Sequence, residues 1–334
     1  MNLLVTGGCG FLGSNFIRHI LKKYPNYRVI NLDKLTYAGN PDNLKDIEGN
    51  SNYQFIKGDI ADERTVPKIC RNNRIDCIVN YAAETHVDRS ILDPDAFIKT
   101  DVLGTYNILK AVKDLGIPKF VQISTDEVYG SIKKGKFIET SPFKPNSPYS
   151  ASKASGDLLC RSYVKTYNLP VIVTNAVNCY GPYQYPEKLM PLFITNLLEN
   201  KKVPLYGDGQ NVREWLYALD HAWAIDFVMH KGNLGEVYNI GSGVEKKNLE
   251  ITKTILKELS FDNRMVEKVE DRPGHDLRYA LDFSKLKKLG WEPEYKFEEA
   301  IRETIRWYKK NDWWWKPLKS GEYLEYYKKQ YRGL

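Results

Sequence analysis

Thr6-Gly7-Gly8-Cys9-Gly10-Phe11-Leu12-Gly13 places glycines three apart at positions 7, 10 and 13. A short β-branched, apolar run, Asn2–Thr6, leads into it, and Phe11–Lys23 follows with apolar residues at helical spacing. Strand, glycine turn and helix in that order build a cradle for a pyrophosphate. Gly7 allows the tight turn and Gly10 lets the backbone approach the phosphates. Gly13 lets the helix pack on the strand with its N-terminus aimed at the anion. Twenty residues past Gly13, Asp33 ends the next strand-like run, Tyr27–Asp33. A carboxylate there would hold the ribose hydroxyls of an adenosine. It would also repel a 2′-phosphate, so NAD is expected over NADP, with the adjacent Lys34 weighing the other way. Asp59 and Ile60, after the third strand, are placed to meet the adenine.

The same rhythm continues through the first half of the chain. Strand-like runs at Tyr53–Gly58, Cys77–Tyr81, Lys119–Ser124 and Pro170–Asn175 alternate with helical patterns at Arg64–Asn73, Pro94–Leu115 and Pro148–Tyr167. Such alternation implies βαβ units and an α/β fold, a doubly wound parallel (Rossmann) sheet covered on both faces. Beyond residue 176 Pro and Gly punctuate more often. Helical patterns persist at Glu187–Glu199, Leu249–Leu259 and Phe297–Lys310, with only short strands between. The expected division is a dinucleotide-binding domain over 1–176 and, over 177–334, a smaller C-terminal α/β lobe for substrate, later segments being free to return to the sheet. Trp313, Trp314, Trp315, Tyr323, Tyr326 and Tyr327 predict a final helix docked on the body, because aromatic rings bury large areas.

Composition narrows the function. The 334 residues are 42% hydrophobic and 27% charged, which excludes a disordered chain. A net charge of +7 is modest and scattered, and no nucleic-acid reading motif accompanies it, so no nucleic-acid partner is expected. No apolar run approaches the roughly 18 residues of a membrane helix, and the N-terminus carries no leader pattern. A soluble, cytoplasmic protein without a membrane partner is the expectation. Five cysteines without Cys-x-x-Cys spacing and five scattered histidines predict reduced thiols and no metal.

Two strings carry chemistry. Tyr149-Ser-Ala-Ser-Lys153 sets a phenol and an ammonium one helical turn apart on one face. The ammonium and a nicotinamide cation would lower the phenol from about 10 towards neutrality, making it a base for a substrate hydroxyl. Ser124-Thr125-Asp126-Glu127 ends the fifth strand, and ligands of doubly wound sheets bind beyond the strands' carboxyl ends.

Together with the glycine turn, Tyr149 and Lys153 resemble the extended short-chain dehydrogenase/reductase superfamily. Ser-Thr-Asp-Glu-Val-Tyr-Gly (124–130), Ala-Ala-Glu-Thr-His-Val-Asp-Arg-Ser (82–90), Tyr-Gly-Pro-Tyr-Gln-Tyr-Pro-Glu-Lys-Leu (180–189) and Asp-Arg-Pro-Gly-His-Asp (271–276) are similar to its nucleotide-sugar 4,6-dehydratase branch, from residue 1 to about 317. The resemblance implies the following reaction on a nucleoside-diphosphate glucose. Tyr149, with Lys153 and Thr125, removes the 4-hydroxyl proton as hydride passes to NAD. Glu127 takes the C5 proton and Asp126 protonates the departing C6 hydroxyl. Hydride then returns to C6. It further implies that Gly7, Gly10, Phe11, Leu12, Gly13, Asp33, Lys34, Leu35, Thr36, Asp59, Ile60, Ala82, Ala83, Thr100, Tyr149, Lys153 and Cys179 hold the cofactor. Thr85, Thr125, Asn178, Lys188, Leu189, Pro204, Tyr206, Arg213, Asn248, Arg272 and His275 would hold the substrate.

A homodimer pairing the helices Pro94–Leu115 and Pro148–Tyr167 is implied as well, with Ile98, Val102, Thr105, Leu109, Val112 and Leu115 as a stripe for the sheet and Leu103, Tyr106 and Lys110 as a second face. Two strings depart from the branch: Thr100-Asp101 stands for Thr-Asn, and Val177-Asn178-Cys179-Tyr180 for Ser-Asn-Asn-Tyr. The second replaces an amide expected near the nicotinamide. Neither departure is expected to touch the acid–base set. A nucleotide-sugar 4-epimerase would use the same Tyr149 without needing an acid pair at C5 and C6, and a dinucleotide-sensing regulator would need neither Tyr149 nor Lys153.

Overall fold

A computed structural model describes residues 1–271 and 276–331. In chain order the elements are β1 (Asn2–Thr6), α1 (Phe11–Lys23), β2 (Arg28–Asp33), β3 (Tyr53–Lys57), α2 (Thr65–Asn73), β4 (Cys77–Asn80), α3 (Val87–Leu92), α4 (Asp95–Phe97), α5 (Thr105–Leu115), β5 (Phe120–Thr125), α6 (Pro148–Tyr167) and β6 (Val171–Ala176). The second half adds β7 (Asn178–Tyr180), α7 (Leu189–Leu198), β8 (Val203–Tyr206), β9 (Val212–Tyr217), α8 (Ala218–Lys231), β10 (Val237–Ile240), β11 (Glu245–Lys247), α9 (Asn248–Glu258), β12 (Val266–Val269), α10 (Ser284–Lys288), α11 (Phe297–Lys310), α12 (Asp312–Leu318) and α13 (Glu322–Gln330). Seven strands form one parallel sheet in the order β10-β6-β5-β4-β1-β2-β3. The doubly wound expectation holds.

The central strands are fully buried because helices cover both faces. Leu3, Val5, Val79 and Val121 pack with Phe16 and Ile17 of α1 and Ile225 and Val228 of α8. On the other face Leu4, Ile30, Ile78 and Phe120 meet Ile108 and Val112 of α5. A polar ladder crosses this apolar interior: the Thr6 hydroxyl bonds Asn80, and Asn80 donates to Gln122 at 2.8 Å. Such side-chain pairing, wholly buried, fixes the register of β1, β4 and β5 just below their carboxyl ends. The strand order reverses between β1 and β4, and there the sheet opens a crevice.

The helix expected over Pro94–Leu115 is present from Asp95 on but changes pitch. Its middle, Ile98–Gly104, is a wider π-helical turn between α4 and α5. The turn buries Thr100 and Asp101 and leaves Ile98 55% exposed, so Ile98 belongs to the outer face with Leu103 and Tyr106, not to the stripe facing the sheet. α8 carries no one-sided pattern, being buried along most of its length. β7, β9 and β11 form a small second sheet, and β8 pairs with β12. Beside them Phe193, Trp215, Ile251, Ile255, Ile301 and Tyr308 form a further core, closed by Trp314, Trp315 and Tyr323 of the tail. The docked final segment is as expected, except that Trp313 faces solvent.

Candidate active site

The crevice holds a cavity of about 280 Å³ lined by both halves of the chain. α1 begins at Phe11 with Gly10 as its N-cap and no capping side chain, so its first amides face the cavity unscreened. Space dictates glycine here. A Cβ on Gly7, at φ +69°, would lie 2.5 Å from the Ala82 nitrogen, and one on Gly13 would lie 2.5 Å from the Gly7 oxygen. A Cβ on Gly10 would meet only the Gly7 oxygen, at 3.2 Å, and otherwise project into the cradle. Asp33 borders the cavity with its oxygens accepting from the Cys9 and Leu35 amides, each at 2.8 Å. Lys34 pairs with Asp59 at 2.7 Å. Of the expected cofactor contacts, Gly7, Gly10, Phe11, Leu12, Gly13, Asp33, Lys34, Thr36, Asp59, Ile60, Ala82, Ala83, Thr100, Tyr149, Lys153 and Cys179 line this cavity. Leu35 does not. Its backbone, at φ +60°, serves to hold Asp33.

At the far end α6 is anchored by a reciprocal cap between Ser147 and Ser150, with Pro148 at its first position. Tyr149 therefore sits in the first turn, its ring edge-on to Phe97 at 6.2 Å, and Lys153 one turn on. The buried Lys153 ammonium donates to the Ile123 carbonyl at 2.8 Å. Thr125 ends β5, its hydroxyl accepting from the Glu127 amide and donating to Asp126. Thr125, Asp126, Glu127, Tyr149 and Lys153 all line the same cavity.

Burial, and then the charges of Glu127 and Glu214, push the Asp126 carboxyl well above its usual range. Its second oxygen is buried without a hydrogen-bond partner. Both influences, burial and charge, favour its protonated form. Burial also pushes the Tyr149 phenol upward, helped by the charges of Glu127 and Asp101 and opposed by its hydrogen bond with Thr125. The lowering expected from the sequence depends on a nicotinamide cation beside the ring; among the protein groups alone burial is the largest influence, and the charges of Glu127, Asp101 and Asp126 add to it. Asp101 also departs from expectation. Its oxygens accept from Ser152 at 2.6 Å and from the Glu84 amide at 3.0 Å, beside Lys153, so this position does touch the acid–base set.

A second cavity of about 150 Å³ continues from the first, sharing Thr85, Glu127, Asn178, Glu187 and Lys188 with it. Leu189, Pro204, Tyr206, Arg213 and Asn248 line it, as expected of substrate contacts. Arg213 is buried under Tyr279, its guanidinium 4.4 Å from the ring centre. Asn178 and Asn248 each bury a side-chain oxygen without a partner. Arg272 and His275 lie outside the described residues. Glu84, His86, Asp88, Tyr185 and Glu187 line the cavities too, although the sequence reading named none of them singly. They stand within the strings 82–90 and 180–189, which were signal enough. Tyr331 also lines the second cavity, and nothing local in the sequence marks it.

All five thiols are free. Among the described residues no three His, Cys, Asp or Glu side chains are grouped to hold a metal, and no helix is long and apolar enough to cross a membrane.

Strand order, crevice and the Tyr149–Lys153 helix place the fold in the extended short-chain dehydrogenase/reductase class. Within that class the chain belongs to the GDP-mannose 4,6 dehydratase family, whose model matches residues 4–304. The low-salt glycan biosynthesis protein Agl12 of Haloferax volcanii is 50% identical over 93% of this chain and 100% of its own. A dTDP-glucose 4,6-dehydratase from Bacillus anthracis, solved in complex with NAD, is 51% identical over 96% of this chain and 100% of that one, with a TM-score of 0.90. The dTDP-glucose 4,6-dehydratase DesIV of Streptomyces venezuelae, also with NAD bound, is 49% identical over the same shares with a TM-score of 0.93.

Proposed function

We propose that this protein is an NAD-dependent hydro-lyase that converts dTDP-glucose to its 4-keto-6-deoxy sugar. The observation that carries the reading is the acid pair Asp126–Glu127, set at the end of β5 in one cavity with Tyr149 and Lys153. The residues fit a dinucleotide: unscreened amides at the start of α1 for its diphosphate, and Asp33 for its ribose hydroxyls. When bound, NAD accepts hydride from C4 of the sugar and returns it at C6. Tyr149, steadied by Thr125 and Lys153, takes the proton from the 4-hydroxyl. The resulting ketone acidifies C5–H, and Glu127 removes that proton and gives it back to C5 once hydride has reached C6. Asp126, whose carboxyl burial pushes towards its protonated form, donates to the C6 hydroxyl as it leaves as water.

Arg213 and Lys188 face the diphosphate, Asn178 and Thr85 the sugar, and Pro204, Tyr206 and Tyr331 the base; Arg272 and His275 complete that end by the family resemblance. The dinucleotide half spans 1–176 together with β10, and the substrate lobe most of the remainder. The protein works in the cytoplasm as a homodimer. Support for the dimer comes from Ile98, Leu103 and Tyr106 beside Leu158 of α6, large apolar groups left exposed on neighbouring helices.

Incubation with dTDP-glucose and with UDP-glucose tests the reading. A ketosugar, formed faster from dTDP-glucose, is expected, with the thymine methyl worth about 1–3 kcal/mol. A galactose sugar in its place overturns the reading in favour of a 4-epimerase.

A further inference from the structure

We propose that Asp101 is a positioning residue for the Tyr149–Lys153 pair, its buried negative charge setting the pH at which Tyr149 can take a proton. The inference rests on the reading of Tyr149 as the base. Asp101 occupies the π-helical turn Ile98–Gly104, which packs on α6 so closely that a Cβ on Gly156 would lie 3.1 Å from the Asp101 carbonyl oxygen. Both carboxylate oxygens are held. One accepts from the Glu84 amide at 3.0 Å and the other from the Ser152 hydroxyl at 2.6 Å. Ser152 precedes Lys153 in the chain, and its hydroxyl also reaches the Tyr149 carbonyl at 2.8 Å. The carboxylate is therefore tied to the turn that carries the base and cannot swing to water.

The charges around the pair come from three parts of the fold. Lys153 and Asp157 face Asp101 from α6, Glu84 from the loop after β4, and Asp126 and Glu127 act on the same phenol from the end of β5. Burial raises both Asp101 and Asp157, and the Lys153 ammonium draws both back down. Once ionised, Asp101 favours the Lys153 ammonium and opposes a phenolate at Tyr149. Asparagine at this position has the same shape. Its oxygen can accept from the Glu84 amide and its nitrogen can donate to the Ser152 oxygen, so only the charge is lost.

The test compares wild type with Asp101→Asn as NAD-loaded protein carrying ¹³Cζ-tyrosine, the Tyr149 signal being the one missing from Tyr149→Phe. The phenol of Asp101→Asn should titrate about one pH unit lower than that of wild type. The acid limb of kcat/KM for dTDP-glucose should move in the same direction, with the melting temperature unchanged. A purely structural role would leave both midpoints in place. No downward shift of the phenol, including a phenol that stays protonated in both proteins across the accessible range, overturns the proposal. Absence of ketosugar from wild type overturns the dehydratase reading instead, and the phenol titration still decides the role of Asp101.

Discussion

Asp126 and Glu127 are chain neighbours with different surroundings, and their roles separate on that ground. Asp126→Asn keeps shape and hydrogen bonding but cannot protonate the leaving hydroxyl; Glu127→Gln cannot take the C5 proton. Each should lower turnover by about 10²–10⁴-fold. Hydride transfer should survive, so NADH absorbance should build up after substrate is added. Tyr149→Phe should abolish that absorbance together with turnover. Stopped-flow absorbance distinguishes the two patterns, and normal turnover in both carboxyl variants would sink the dehydratase reading. The acid pair, the Tyr–Lys pair and the glycine turn were all legible in the sequence because each is local: the groups lie within a few residues on one element. Asp101 and Ser152, 51 positions apart, were not. Their contact depends on a wider helical turn that leaves no mark in the order of residues.

Among the elements, α1 and α8 are joined by one buried carboxylate. Asp226 accepts from His19 at 2.8 Å, Lys23 at 2.7 Å and Tyr24 at 3.0 Å, and His230 lies 2.9 Å away. Burial pushes this carboxyl up, but the hydrogen bonds from His19, His230 and Lys23 outweigh it and hold the group far below its usual range. A depressed carboxyl contributes stability that is present above its unfolded value near 3.8 and is lost as pH falls towards the folded one. The hydrogen bond with Asp226 raises His230, so its share is full below about 6.5 and fades as pH climbs through the raised value. Asp226→Asn should cost about 1–3 kcal/mol near neutrality and flatten the acid side of a melting-temperature profile. An unchanged profile would show that Asp226 holds nothing. α8 escaped the sequence reading because Asp220, His221 and Asp226 are polar yet buried, which erases the one-sided pattern of an ordinary surface helix. On the outer face of the π-helical turn, Leu103→Asp should split the proposed dimer. Light scattering at micromolar concentration reads this directly, and a wild-type monomer mass would remove the dimer itself.

Over the whole molecule, the tail closes onto the substrate lobe. Arg89 of α3 pairs with Glu187 at 3.0 Å and with Glu322 of α13 at 2.7 Å, its guanidinium stacked 3.6 Å from the Tyr37 ring centre. Gln330 donates to the Tyr206 hydroxyl at 2.7 Å, beside the buried Tyr331. Tyr331→Ala should raise KM for dTDP-glucose about tenfold, equivalent to 1.4 kcal/mol, with kcat little altered. Steady-state kinetics decides, and an unchanged KM would place the base elsewhere. No local pattern could have announced the tail's contacts, Arg89 with Glu322 and Gln330 with Tyr206, which join residues more than a hundred positions apart. β10 belongs to the same scale. It completes the main sheet against β6, yet β7, α7, β8, β9 and α8 intervene in the chain. During synthesis β6 therefore leaves the ribosome with one row of backbone groups unmatched, a template for whatever strand arrives first. Chains growing side by side on one messenger RNA carry that bare row together, and each loses it only when its own Val237–Ile240 clears the exit tunnel.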